Sequence, residues 1–323
     1  MKKILLALTA VVLFAGSAVA GDKIVEVVNA DEVFQKGYIQ VIGESEAGQS
    51  RYRAKRAAEV VAQRRMLEIF QGLRLSGKTT VRDGMLSSER IRTTVDGTLR
   101  GAVPCGESFD RTEGYARVCL RLNLHGQDSV YSAFDEIILK EPKELKVREI
   151  PAFKPDNVQE VAAIPVPMIK EKTEVREEEK PAAVEEKTEI EEAQVQTTES
   201  ASQKIQAAVA TPVDGIIVDV RDFDFKPALV NRILTEKNEV LFDPSKVLNQ
   251  VLIERGCGGY TTDLQKARAL LETWGSKSPM VLKGKTVQNV TDAVVSVDDA
   301  STVFVYDQRY NLLAQARVVF VLK

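Results

Sequence analysis

Histidine is almost missing from this 323-residue chain: there is one, His125, in a His-Gly-Gln stretch just past an expected strand. A Ser-His-Asp triad would have to use it, and a histidine metal site would need ligands that its neighbours do not supply. Cysteine is scarce too, with Cys105, Cys119 and Cys257 and no C-x-x-C pair. That spacing supports neither a thioredoxin-type site nor a zinc knuckle. Beyond the first 20 residues, no apolar run reaches the roughly 20 residues that span a bilayer. An excess of charge is lacking as well. The formal net charge is −3, without the clustered basic residues of a nucleic-acid-binding surface. Hydrophobic residues make up 44% and charged residues 28%. With this length, those values predict a globular protein of two ordinary domains.

What is present begins at the N-terminus. Lys2 and Lys3 precede the apolar run Ile4–Phe14, and Ala18-Val19-Ala20 is a small-x-small cleavage site followed by Gly21. This layout predicts a secretory signal peptide over residues 1–20, cut between Ala20 and Gly21, and a periplasmic or secreted location. No cysteine adjoins the cut, so lipid attachment there is not expected. An oxidising compartment invites pairing of cysteines. Cys105 and Cys119 flank GESFDRTEGYARV, which reads as a β-hairpin turning near Arg111–Gly114. With Asp110 facing Gly114, the register sets Cys105 opposite Cys119, and a disulfide there would add about 2–3 kcal/mol. Two buried thiols are the alternative. Cys257, in GCGGY, is left over as a small buried or loop thiol.

The middle of the chain, 141–211, is poor in aromatics and rich in Glu, Lys, Pro, Ala and Val. Such a stretch buries too little apolar surface to offset the entropy of ordering, and reads as a long disordered linker holding two domains at variable separation. The first domain spans 31–134. GYIQVIGE (Gly37–Glu44) alternates like a strand, and Arg51–Leu73 carries an apolar helical stripe of Ala58, Val61, Ala62, Met66, Ile69, Phe70 and Leu73. Arg53, Lys55, Arg56, Arg64 and Arg65 fall mostly off that stripe, as a solvated basic face. A short β-prone piece at Lys78–Arg82, a helix over Ser88–Leu99 and two strands, Arg100–Ser108 and Gly114–Leu124, complete it. The second domain spans 212–323. GIIVDVR (Gly215–Arg221) opens it as a strand. Asp243-Pro244-Ser245 starts a helix that Gly256 ends, and Thr262 with Gln265 fits a capping box for a second helix ending near Gly275. Strands at 292–297, 302–306 and 314–322 then form a β-meander. The expected class is α+β, with two antiparallel sheets, each carrying one or two helices.

The segment GLRLSGKTT, Gly72–Thr80, matches the phosphate-loop spacing G-x-x-x-x-G-K-[ST]. A working loop needs a strand feeding the turn and a helix leaving it, so that backbone amides converge on phosphate. Here the preceding segment is the strongest helical pattern in the chain. The reading is a helix ending near Gly72 and a turn at Ser76-Gly77 leading into a strand. Asp222 and Asp224, in RDFDFKP, are two apart and would share a face of an extended segment; such carboxylates can bind calcium or move protons. Asn289-Val290-Thr291 is a glycosylation sequon by pattern. Neither gives a site, and no catalytic residue, cofactor, metal or nucleotide is expected.

The succession GYIQVIGE, RAKRAAEVVAQRRMLEIFQGLRL, VDGTLRGAV and GYARVCLRLNL resembles the N-terminal domain of flagellar assembly protein T (FlgT) and the related FlgP-like small outer-membrane lipoproteins. The shared pattern is a strand with glycine and an acidic residue, an Ala-rich helix, and a hairpin ending in alternating apolar residues. The resemblance implies an exported, non-enzymatic scaffold or assembly protein at the outer membrane or flagellar basal body, with envelope or basal-body proteins as partners. The lipidated cysteine of the lipoproteins is not present, and residues 212–323 resemble only uncharacterised exported bacterial proteins. An alternative is a periplasmic protein that binds a glycan or small ligand through Tyr260, Trp274, Tyr306 and Tyr310, since aromatic rings stack on sugars.

Overall fold

The structure, a computed structural model, describes residues 24–155 and 213–323. The expected signal peptide, its Ala20–Gly21 cut and most of the expected linker (156–211) lie outside the described residues. The described residues form two bodies of mixed helix and sheet, so the α+β class holds.

The N-terminal body runs α1 (Ala30–Lys36), β1 (Tyr38–Glu44), α2 (Arg51–Gly72), β2 (Arg74–Ser76), β3 (Thr79–Thr80), α3 (Val81–Ser87), α4 (Glu89–Arg100), β4 (Val103–Asp110), β5 (Tyr115–Asn123) and α5 (Val130–Lys140). Its main sheet is antiparallel, in the order β1-β5-β4. Helix α2 has no proline and a small or apolar residue at every fourth position. Ala54, Ala58, Ala62, Met66 and Phe70 are buried, a narrower stripe than expected that leaves Val61 exposed. The small alanines let the helix settle directly on β1. A Cβ on Gly43 would overlap the Ala58 carbonyl, so this close approach requires glycine.

The β4–β5 hairpin turns where expected, but its register differs. Asp110 faces Tyr115, and Gly106 rather than Cys105 faces Cys119. Cys105 is the additional residue of a β-bulge, which twists its side chain toward the neighbouring strand. The Cα atoms of Cys105 and Cys119 are 5.1 Å apart and the disulfide is formed.

The C-terminal body comprises β6 (Gly215–Asp219), β7 (Arg232–Thr235), β8 (Val240–Phe242), α6 (Asn249–Arg255), β9 (Gly259–Thr261), α7 (Leu264–Thr273), β10 (Pro279–Lys283), β11 (Thr286–Gln288), β12 (Asp292–Val295), α8 (Val297–Tyr310) and β13 (Val318–Val321). The expected antiparallel meander is corrected here. One sheet, β10-β6-β13-β9, is parallel throughout, and in the other, β11-β12-β7-β8, β12 and β7 are parallel. Residues 302–306, expected as a strand, lie inside α8. Ser296 caps that helix by accepting the Asp299 amide, Asp298 and Asp299 suit the positive end of its dipole, and Asn311 ends it in the left-handed region. With a helix between β12 and β13, the connection is long enough for a crossover rather than a hairpin. The near-continuous apolar run of β6 follows from burial on both faces. Ile217 packs under α7 with Ala267 and Leu271, while Ile216 and Val218 face the main core. Two caps also differ from expectation. Asp263, not Thr262, caps α7, and Asp243-Pro244-Ser245 opens a single 3-10 turn before α6.

The two bodies share one hydrophobic core, which joins Tyr131, Phe134 and Leu145 to Phe225, Phe242, Tyr260 and Phe320. The Leu229 and Val230 amides donate to the carbonyls of Arg74 and Leu75, each at 2.9 Å, and the Tyr131 hydroxyl donates to the Leu229 carbonyl at 3.2 Å. Residues 141–155, expected as the start of the linker, take part. Leu145 and Phe153 are buried, and Ala152 bridges to Val240. The expectation of domains at variable separation is therefore corrected. Isolated apolar residues in a polar tract anchor it, and the packed junction fixes one body against the other.

Replacing both bridged cysteines, Cys105→Ser with Cys119→Ser, should lower unfolding stability by about 2–3 kcal/mol, because the bridge closes a 14-residue separation. Urea unfolding measures this, and an unchanged midpoint would show that the bridge contributes nothing.

Candidate functional site: a cleft at the junction

Where the bodies meet, a cavity of about 210 Å³ opens between three stretches of chain. The β2–β3 turn supplies Ser76, Gly77, Lys78 and Thr79; the segment after α5 supplies Lys146, Val147 and Arg148. The C-terminal body supplies Val230, Arg232, Asn289 and Asp292.

Its floor is an ion pair. Arg232 and Asp292 are register partners on adjacent parallel strands, and both side chains are only 4% exposed. Nη2 of Arg232 lies 2.8 Å from Oδ2 of Asp292, and Nε lies 3.3 Å from Oδ1. Each partner makes a further bond: Arg232 Nη1 donates to the Arg148 carbonyl at 2.6 Å, and Asn289 Nδ2 donates to Asp292 Oδ2 at 3.0 Å. A buried pair is tolerable when it is bidentate and each partner is hydrogen-bonded further in this way.

The wall is tied across the junction. The Gly77 amide donates to Thr291 Oγ1 at 2.8 Å, and the Ser76 hydroxyl donates to the Leu145 carbonyl at 2.6 Å. The rim is different. Lys78, Lys146 and Arg148 are exposed, and none has an ion-pair partner among the described residues. Their neighbour Lys143, by contrast, pairs with Glu149. Asp83 feels this rim through Lys146. Hydrogen bonds from the Thr80 amide and hydroxyl hold it below the usual carboxylate range, with a weaker contribution from Lys146.

The backbone around the cleft is unusual. Gly77, Lys146, Asn289 and Val290 have φ of 54°, 55°, 50° and 62°. For a β-branched residue such as Val290 this left-handed conformation is an outlier, and its carbonyl accepts the Lys226 amide at 2.7 Å.

The residues singled out in the sequence fall in separate places. GLRLSGKTT is the end of α2 followed by the β2–β3 hairpin, as read, and α3 begins only at Val81. Its Gly77, Lys78 and Thr79 nevertheless line the cleft. Asn289 of the sequon is in the cleft, with its amide engaged by Asp292. Asp222 and Asp224 do not converge: Asp222 pairs with Lys283 at 3.5 Å and Asp224 with Lys226 at 3.1 Å. The four aromatics do not form one platform, although two of them pair. Tyr260 is 4% exposed, its hydroxyl held by Asn231 and the Ala228 carbonyl. Trp274 packs beside α7 under Arg255, and Tyr306 stacks on Tyr310 along α8. Cys257 is buried, and burial pushes its thiol pKa up. Nothing in the sequence points to the Arg232–Asp292 pair. In sequence it is one arginine and one aspartate sixty residues apart, with no local signal.

His125 sits at the junction, stacked on Tyr131 at 5.1 Å, with Nδ1 lacking a hydrogen-bond partner. Burial pushes its pKa down to about 4. Among the described residues, no group of three His, Cys, Asp or Glu side chains is placed to hold a metal, and no helix is long and apolar enough to cross a membrane.

Residues 215–323 match the family described as Treponema pallidum Tp0624, second domain. The similarity begins at β6 and covers nearly all of the C-terminal body, about a third of the chain. No curated protein matches the chain.

Two outcomes follow from these geometries. Asp292→Asn, which leaves Arg232 buried without its counter-charge, should cost about 3–5 kcal/mol, whereas the apolar pair Arg232→Met with Asp292→Leu should cost less than that single change. Denaturant unfolding separates the two, and equal losses would remove the charge argument. His125 has the opposite signature to a stabilising histidine. Its folded pKa lies below the unfolded value of about 6.5, so the unfolded chain takes up the proton first. Stability is intact above pH ~6.5 and declines toward pH ~4, by about 2 kcal/mol at pH 5. His125→Gln should flatten that decline between pH 7.5 and 5, and parallel pH profiles for both proteins would refute it.

Proposed function

We propose that this protein is an exported, non-enzymatic scaffold or assembly component of a bacterial cell envelope, acting at the outer membrane or the flagellar basal body. The Cys105–Cys119 disulfide carries this reading, because such bridges persist in oxidising compartments. The signal-like residues 1–20 support it, as does the resemblance of the first domain to FlgT and FlgP-like proteins. The similarity of 215–323 to a domain of a treponemal protein is consistent with a bacterial source. A junction that locks two bodies together suits a component that must hold partners at a defined spacing, and envelope or basal-body proteins are the partners proposed.

A second reading, a periplasmic protein that binds a small ligand, is favoured by the junction cleft and its unpaired cations. The aromatic version of that reading, a glycan platform, is less well supported, since Tyr260 is buried and cannot present its ring to a sugar.

Cross-linking in intact cells followed by mass spectrometry of the full-length protein should recover envelope or basal-body proteins, and a deletion strain should lose motility or envelope integrity. A normal deletion strain with no cross-linked envelope partner would retire the scaffold reading.

A further inference from the structure

We propose that the junction cleft is a binding site for a small, compact, phosphate-bearing polyanion. The inference rests on the cleft itself and gives the second reading above a ligand class; it is independent of whether the protein is a scaffold.

Three observations point the same way. First, the sign of the charge: Asp292 is neutralised by Arg232 on the floor, and Lys78, Lys146 and Arg148 around the opening have no ion-pair partner among the described residues, Asp83 acting on Lys146 only weakly from outside the lining. These three cations come from two chain segments, and the third segment closes the site beneath them. Val147 and Val230 supply low-dielectric walls, and a cleft of one sign with such walls concentrates counter-ions. Second, the donors: two ammonium groups act as point charges on phosphate oxygens, the Arg148 guanidinium offers a planar fork, and the Thr79 hydroxyl lies in the same lining. Third, the size: about 210 Å³ lies below the roughly 300–1,000 Å³ of pockets for drug-sized ligands. An ion of phosphate or pyrophosphate dimensions fits that volume. Such recognition uses side-chain cations from a hairpin turn and from the segment after α5, whereas a phosphate loop uses the amides of a helix N-terminus.

The left-handed backbone at Lys146, Asn289 and Val290 fits a built opening, since conformations of this kind are retained where the surroundings impose them. A bound polyanion would touch both bodies, so binding would tighten the junction.

The test uses the purified full-length protein, titrated calorimetrically with inorganic phosphate and with pyrophosphate at constant ionic strength set by sodium chloride. Saturable binding is expected, tighter for pyrophosphate. Lys78→Gln and Lys146→Gln should each weaken it about tenfold or more. Arg111→Gln, in the separate basic cavity beside the β4–β5 hairpin, should leave it unchanged. All three side chains are exposed, and the circular dichroism and unliganded urea midpoint of each variant check that it folds. Hydrogen exchange should slow together at 76–79, 146–148 and 289–292 on binding. Absence of saturable binding, equal affinity in all variants, or a loss confined to Arg111→Gln would overturn the proposal. Vesicles containing phosphatidylglycerol form a second arm. Co-sedimentation abolished by Lys78→Gln would identify a lipid headgroup as the source, and calorimetric binding without co-sedimentation a free phosphate. Loss of this site would leave the disulfide-based reading of the compartment untouched.

Discussion

Arg232 and Asp292 can be buried only because each satisfies the other. Two charges removed from water tolerate little displacement, so their bidentate contact pins β7 against β12 in one register. The third Arg232 nitrogen reaches the Arg148 carbonyl, which draws the tract after α5 onto the C-terminal body. Ser76 and Gly77 then bond to Leu145 and Thr291, and the β2–β3 turn joins the same seam. The cleft and its rim of cations follow from those constraints. The floor carries no net charge, so the rim dominates the local field.

Much of the N-terminal body was legible in the sequence. The recurrence of Ala58, Ala62, Met66 and Phe70 marks α2, Ser88 marks the start of α4, and the cysteine spacing marks the hairpin. These signals are local, and tertiary structure did not override them. The C-terminal body was less legible. The stretch 302–306 is β-branched and aromatic, and looked like a strand; the Ser296 cap and the packing of Ala300 and Val303 decided for helix. Strand direction was likewise hidden, because parallel pairing depends on where crossover helices pass rather than on the residues paired.

The junction was the least legible part. Leu145 and Phe153 are single apolar residues in a charged, proline-containing tract, and composition averages them away. The Lys78 turn carries a familiar spacing, but it joins β2 to β3 and a helix starts only at Val81. Its position beside Lys146 and Arg148 came from long-range packing. A motif can fail as a mechanism and still place its lysine at a site.

Cys257 adds a consequence for oxidative maturation. Three thiols allow three possible pairings, and only one is found. Cys105 and Cys119 are neighbours along the chain, so their loop closes at little entropic cost. Cys257 is sealed in the shared core beside Tyr131, where burial keeps it in the protonated, unreactive form. Once the seam has closed, thiol–disulfide shuffling has no third participant. A chain presented from its N-terminus would meet the correct partner before the competing one had emerged.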